Sequence, residues 1–150
     1  MGSGYSTVAI WQALLDVGEY GALISLEANP FWYEQNLGAL YRMGYMTEAQ
    51  SCQPNLVFSP VSNLKANGSL MEYTFSPARG APVDFIYVDG PALYSYNKII
   101  MEPVLFDNVA KVIVVDGRRE QVEMMTGALM KSYDVEDSLL ENRTVFRRRW

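Results

Sequence analysis

Two runs, "VDFIYVDGP" from Val83 and "AKVIVVDG" from Ala110, constrain this chain more than any other feature. Each is a β-branched or aromatic stretch that stops at Asp-Gly, the composition of a strand closed by a tight turn. Neither alternates apolar with polar residues, so both read as central parallel strands buried on two faces. Parallel neighbours cannot be joined by a hairpin and need a crossover, usually a helix.

Helical patterns stand where such crossovers require them. From Ser6 to about Val17, the residues Val8, Trp11, Leu14 and Leu15 make one apolar face, which Gly18 can terminate. "ALISLE", Ala22 to Glu27, is a short strand ending on a carboxylate. In "NPFWYEQNLGALYRMG", Asn29 caps a second helix, Pro30 takes its first position and Gly44 follows its end. The aromatic group Phe31, Trp32 and Tyr33 at its start reads as packing. "NLVFSPV", Asn55 to Val61, is a strand stopped by Pro60, and residues 62–82 are polar loop with one extended piece at Met71 to Phe75. A helix broken near Pro103 is expected within Tyr94 to Phe106, and another from Arg119 to Tyr133 with Val122, Met125 and Leu129 on one side. Met124 and Met125 read as core filler. The end, "DVEDSLLENRTVFRRR", reads as two antiparallel strands turning near Glu141 and Asn142.

Strands and helices alternate up to that closing hairpin, so the class is α/β with a mainly parallel sheet and right-handed connections. At 150 residues the chain has the length of a single domain. Ligands of such sheets collect at the carboxyl ends of the strands, and here those ends carry Glu27, Ser59, Asp89 and Asp116. Ahead of the first helix, "GSGYST" supplies Gly2 and Gly4, which can adopt positive φ and admit a ligand, and Ser6 and Thr7 in the first turn. Glu27 follows Gly4 by 23 residues, at the end of the next strand, where a carboxylate can accept both hydroxyls of a ribose. A nicotinamide-binding turn needs a third small residue where this chain has Thr7, which disfavours a dinucleotide.

Charge and residue counts narrow the partners. The formal net charge of −5 speaks against a nucleic-acid binder, and Arg143, Arg147, Arg148 and Arg149 read as a solvated strand end. Cys52 is alone and no apolar run approaches the ~20 residues of a membrane span, which fits a cytoplasmic protein. No secretion signal is legible at the start, so the sequons at Asn67 and Asn142 read as coincidental. With no histidine, the commonest general base and metal ligand is missing from the whole chain.

"GSGYST", "SLE", "VFSP", "DFIYVDGP" and "VIVVD", in that order, resemble the class I S-adenosylmethionine-dependent methyltransferases over essentially the whole chain. The resemblance implies a Rossmann-like sheet with helices on both faces. It also implies that Gly2, Ser3, Gly4, Ser6 and Thr7 cradle the methionine and sugar of S-adenosylmethionine, that Glu27 holds the ribose, and that Ser59 borders the adenine. Asp89 would sit beside the transferring methyl and serve as catalytic residue, with Tyr94 and Tyr96 as other candidates for a base. Asp89 and Asp116 match the carboxylates of metal-dependent relatives, but Gly117 stands where those carry an Asn ligand, so no metal site is expected. Asp89-Gly90-Pro91 and Asp116-Gly117 also read as plain strand-ending turns, the second with Arg118 and Arg119 able to pair its carboxylate.

Members of that family place a strand and an acidic residue directly before the glycine-rich turn, and neither stands before "GSGYST" here. By the family order this first strand belongs centrally, between the strands ending at Glu27 and Asp89, and its absence leaves a gap of ~9.6 Å. The expectation is therefore an N-terminally truncated methyltransferase-like domain, or edges that close on each other or borrow a strand, with homo-oligomers through exposed sheet edges as one consequence. The function expected is methyl transfer to a small-molecule acceptor. The alternatives are a non-catalytic Rossmann-like binding module and, third, an NAD-dependent oxidoreductase.

Overall fold

The structure is a computed structural model that describes residues 4–18, 22–46, 54–58, 61–63, 70–73, 83–89, 100–101, 110–138 and 142–149. Among these the class is α/β, with elements in the order α1 (Gly4–Val17), β1 (Ile24–Glu27), α2 (Pro30–Arg42), β2 (Asn55–Phe58), β3 (Val61–Asn63), β4 (Leu70–Tyr73), β5 (Val83–Val88), β6 (Ile100–Met101), β7 (Ala110–Asp116), α3 (Arg119–Leu129), β8 (Tyr133–Ser138) and β9 (Arg143–Arg148). The chain divides into two compact units, Met1–Val61 with Tyr73–Phe75, and Ser62–Glu72 with Ser76–Trp150.

In the first unit, β1 and β2 pair in parallel, with Ile24 opposite Asn55 and Glu27 opposite Phe58, and α2 connects them. The start of α2 follows from its sequence. Asn29 caps it, its side chain accepting from the backbone N–H groups of Phe31 and Trp32, and Pro30 fills the first helical position, where no N–H is needed. Gly44 lies just past its end at φ +75°, a left-handed conformation that suits glycine. Leu40 is buried, and so is Trp11 of α1, whose neighbours Val8 and Leu14 are half-buried. Leu15, expected on the same face, is exposed because the buried stripe runs instead through Thr7 and Trp11, four residues apart. Phe31 and Trp32 stack edge to face with centroids 5.1 Å apart, yet both rings are largely exposed, so they pack on each other more than on a core.

The second unit holds a four-stranded mixed sheet of order β5-β7-β9-β8. β5 and β7 are parallel, with Val83 opposite Ala110 and Val88 opposite Val115, whereas β7–β9 and β9–β8 are antiparallel. Ala110, Ile113, Val115, Met125, Leu129, Tyr133 and Phe146 are fully buried and form its core. Tyr133 adds a buried hydrogen bond, its hydroxyl donating to the Ala110 carbonyl at 2.8 Å. That anchor explains why α3 stops at Leu129 and does not run to Tyr133, which instead opens β8. On α3 the buried residues are Gln121, Met125 and Leu129, while Met124 lies at the surface. Asn142, at φ 51°, carries the turn into β9. β8 is the outer strand and exposes Asp134, Glu136 and Asp137.

A further sheet has order β3-β4-β6, with β4 and β6 parallel. Ile100–Met101 is thus strand, where a helix was expected; an apolar run with two adjacent isoleucines does not distinguish the two by periodicity. The strand from Asn55 ends at Phe58 and a separate strand starts at Val61, so the continuous run to Val61 is corrected; Pro60 itself lies outside the described residues. β7 is buried as a central strand, but β5 is not, since it ends its sheet with Phe85 44% exposed and Asp84 paired to Lys111 at the surface. β1 pairs with β2 in the first unit and β5 with β7 in the second. The rest of the helix expected between Tyr94 and Phe106, with Pro103, lies outside the described residues, as do Cys52 and Asn67.

Phe146 fills the sheet core with a whole phenyl ring and no polar atom, so Phe146→Ala is expected to lower stability by ~3–5 kcal/mol in urea unfolding. Val135→Ala on the outer strand, where the side chain is exposed, is expected to cost less than ~1 kcal/mol in the same measurement.

Candidate functional site

Each unit carries one group of the polar residues singled out by sequence. In the first, the short strand β1 alternates its side chains between two faces, which puts Ser25 and Glu27 on the same one. Thr7, in the second turn of α1, shares a hydrogen bond of 2.6 Å with the Ser25 hydroxyl. The opening of α1 therefore lies over the face of β1 from which Glu27 projects. Glu27 is 5% exposed, and its Oε1 accepts from the backbone N–H of Asn29 at 2.9 Å. One carboxylate thus both closes β1 and braces the residue that caps α2. The first backbone N–H groups of α1, through Ser6, have no acceptor within the helix and face out of its positive end.

Two expectations for the glycine-rich turn change. Gly4 is the first residue of α1 and is not among the glycines with positive φ. A Cβ built on it would stand 2.8 Å from Asn36 Oδ1, so its small size admits the α2 side chain, where a ligand was expected. Thr7 is 4% exposed with its hydroxyl engaged by Ser25, so the side chain ties helix to strand and does not open toward a ligand. Ser6 is half-buried on the first turn. Gly2, Ser3 and Ser59 lie outside the described residues, and so do Tyr94 and Tyr96.

In the second unit, the parallel pairing of β5 with β7 brings their carboxyl ends to one edge. Asp116 ends β7, and its Oδ2 accepts from the Tyr87 hydroxyl at 2.6 Å. Burial holds the Tyr87 phenol well above its usual range, and the bond to Asp116 pushes it the same way, so it stays a proton donor. Asp89, one residue past β5, is half-buried, and desolvation raises its carboxyl above the ordinary aspartate value; nearby Asp116 adds to the rise and Arg118 opposes it. Arg118 reaches back through Nη2 to the Asp89 carbonyl at 3.3 Å.

The pairing expected between Asp116 and Arg118 or Arg119 is not what forms. Gly117 turns the chain at φ +61°, sending Arg118 to Asp89 and Arg119 outward to Glu123 at 3.6 Å, while Asp116 is taken by Tyr87. Among the described residues no group of three potential ligands could hold a metal ion. At the hairpin, Arg147 lies 3.7 Å from Glu136 and Arg149 2.7 Å from Asp134, exposed pairs that match the reading of a solvated strand end. Sequence reasoning missed Ser25 and Tyr87. Their partners lie 18 and 29 residues away in sequence, so no local pattern marks either one.

The chain matches no protein-family model, no curated protein and no solved structure. Among the described residues no helix is long and apolar enough to cross a membrane.

The raised carboxyl of Asp89 has a definite sign in stability. A group whose value is raised on folding contributes stability that is complete below its unfolded value, about 4, and is lost as pH rises through the folded one. Asp89→Asn is therefore expected to gain stability relative to the parent as pH rises from about 4 toward neutrality, followed by urea unfolding across that series. A difference between the two proteins that stays constant with pH would contradict the assignment.

Proposed function

We propose that this protein binds S-adenosylmethionine and transfers its methyl group to a small-molecule acceptor. The observation that carries the reading is the buried carboxylate of Glu27 at the end of β1, on the strand face that Thr7 and Ser25 tie to the opening of α1. A carboxylate in that setting accepts hydrogen bonds from vicinal hydroxyls, and bonds to a charged acceptor are about twice as strong as neutral ones. The outward N–H groups of a helix start favour the negative end of a ligand. Glu27 would hold the ribose, and the opening of α1, from Gly4 through Ser6, would face the amino-acid portion.

The bound nucleoside supplies an activated sulfonium methyl, so the protein's share is mainly to position, an effect worth on the order of 7–11 kcal/mol in favourable cases. By the resemblance Asp89 would be the base, and a carboxyl held above its ordinary range is a better proton acceptor for a hydroxyl nucleophile. A Rossmann-like arrangement belongs to the same proposal, supported by the parallel ladders β1–β2 and β5–β7 and by polar residues at their carboxyl ends. The acceptor is written as a small molecule in keeping with the acidic net charge, which gives a polyanion no electrostatic foothold.

Calorimetry of the chain with S-adenosylmethionine is expected to show saturable binding. Glu27→Gln, which keeps the volume and an acceptor for Asn29 but removes the charge, is expected to weaken it by at least about tenfold. Absence of heat at millimolar ligand, or equal affinity in the variant, overturns the proposal. Heat with NAD alone would favour the oxidoreductase, and tight binding without methyl transfer to any acceptor would favour the non-catalytic module.

A further inference from the structure

The bond between Thr7 and Ser25 joins residues 18 apart in sequence and ties α1 to the face of β1 that carries Glu27. Thr7 is almost wholly buried, so its hydroxyl is costly to leave without a partner. Ser25 stands two residues before Glu27 on the same strand face, about 7 Å along the chain at strand rise. Any displacement of α1 along β1 therefore changes the spacing between the helix opening and the Glu27 carboxylate. Gly4, at the start of the same helix, faces the Asn36 side chain of α2, which a methyl group there would push aside. Glu27 in turn braces Asn29 at the start of α2. Side-chain bonds thus tie β1 both to α1, through Thr7 and Ser25, and to the start of α2, through Glu27 and Asn29.

We infer that Thr7 and Ser25 form a clasp that positions the opening of α1 relative to Glu27, and so set the affinity for a nucleoside with an extended polar tail while touching no ligand atom through their hydroxyls. This rests on the reading of Glu27 as the ribose acceptor, and it replaces the direct contact that the resemblance assigns to the Thr7 side chain. A clasp has properties that a ligand contact lacks. Removing either hydroxyl breaks the same single bond, so the two losses do not add. Removing the tail of the ligand removes the need for the spacing, so adenosine, which keeps the ribose hydroxyls, is indifferent to the clasp.

The test is calorimetry of the chain with S-adenosylhomocysteine and, separately, with adenosine, on the parent, Thr7→Val, Ser25→Ala, the double variant and Thr7→Ser. Temperatures are chosen at which circular dichroism shows each protein fully folded. Expected are a loss of about fivefold in S-adenosylhomocysteine affinity for each single variant, the same loss in the double, near-parental affinity for Thr7→Ser, and adenosine affinity changed by less than about twofold throughout. Parental affinity in Thr7→Val and Ser25→Ala overturns the clasp and leaves the ribose assignment standing, as do additive losses, which would mean separate ligand contacts. A parent that binds neither nucleoside overturns both. Ser25 is only half-buried, so Ser25→Ala keeps the comparison available if Thr7→Val does not fold.

Discussion

Parallel pairing is the constraint from which the rest follows. Strands that run side by side in one direction bring their carboxyl ends to a common edge and must be linked by segments that return along a face. In the first unit this gives β1, α2 and β2, with Glu27 at the tip of the first strand. In the second it gives β5 and β7, with Asp89 and Asp116 at theirs. Carboxylates at strand tips escape the apolar interior that the strands themselves build, yet stay near enough to it to be desolvated. Glu27 and Asp89 show the two outcomes: one is buried and braces a helix cap, the other is half-buried with its proton held more tightly than usual.

The elements were legible where residue type and periodicity agreed. β7 is β-branched from Val112 to Val115, α2 has both an N-cap asparagine and a proline at its first position, and the closing hairpin turns at Asn142 as its composition suggests. Boundaries failed where a tertiary contact decided them. Tyr133 belongs by pattern to a helix, but its ring fills the sheet core and its hydroxyl finds the Ala110 carbonyl, so the chain is extended there. Ile100 and Met101 sit in a run that suits helix or strand equally, and pairing with Leu70 and Met71 settles it as strand.

The site was legible as a list of residues and not as a set of relations. Glu27, Asp89 and Asp116 stand out as strand-ending acids, but which group each engages depends on side chains far away in sequence. Asp116 looks destined for Arg118 until the left-handed turn at Gly117 carries the arginine off and leaves the acid to Tyr87, 29 residues earlier. Gly4 looks like room for a ligand, and the neighbouring helix fills that room with Asn36. Ser25 draws no notice in "ISLE", since a serine in a short strand is unremarkable until its partner on α1 is known. In each case the missing information is a distance across the fold, which local composition does not encode.

The outer strand of the mixed sheet bears on how this surface meets other chains. Among the described residues β8 is the outermost strand of its sheet, and an outer strand is the usual place for another strand to add. Along it stand Asp134, Glu136 and Asp137, two of them close to Arg149 and Arg147. A newcomer at that edge would strip water from acids and arginines whose mutual attraction is weak while hydrated, and a second copy would bring the same acids against them. Growth of the sheet in that direction is checked by dehydration of charge.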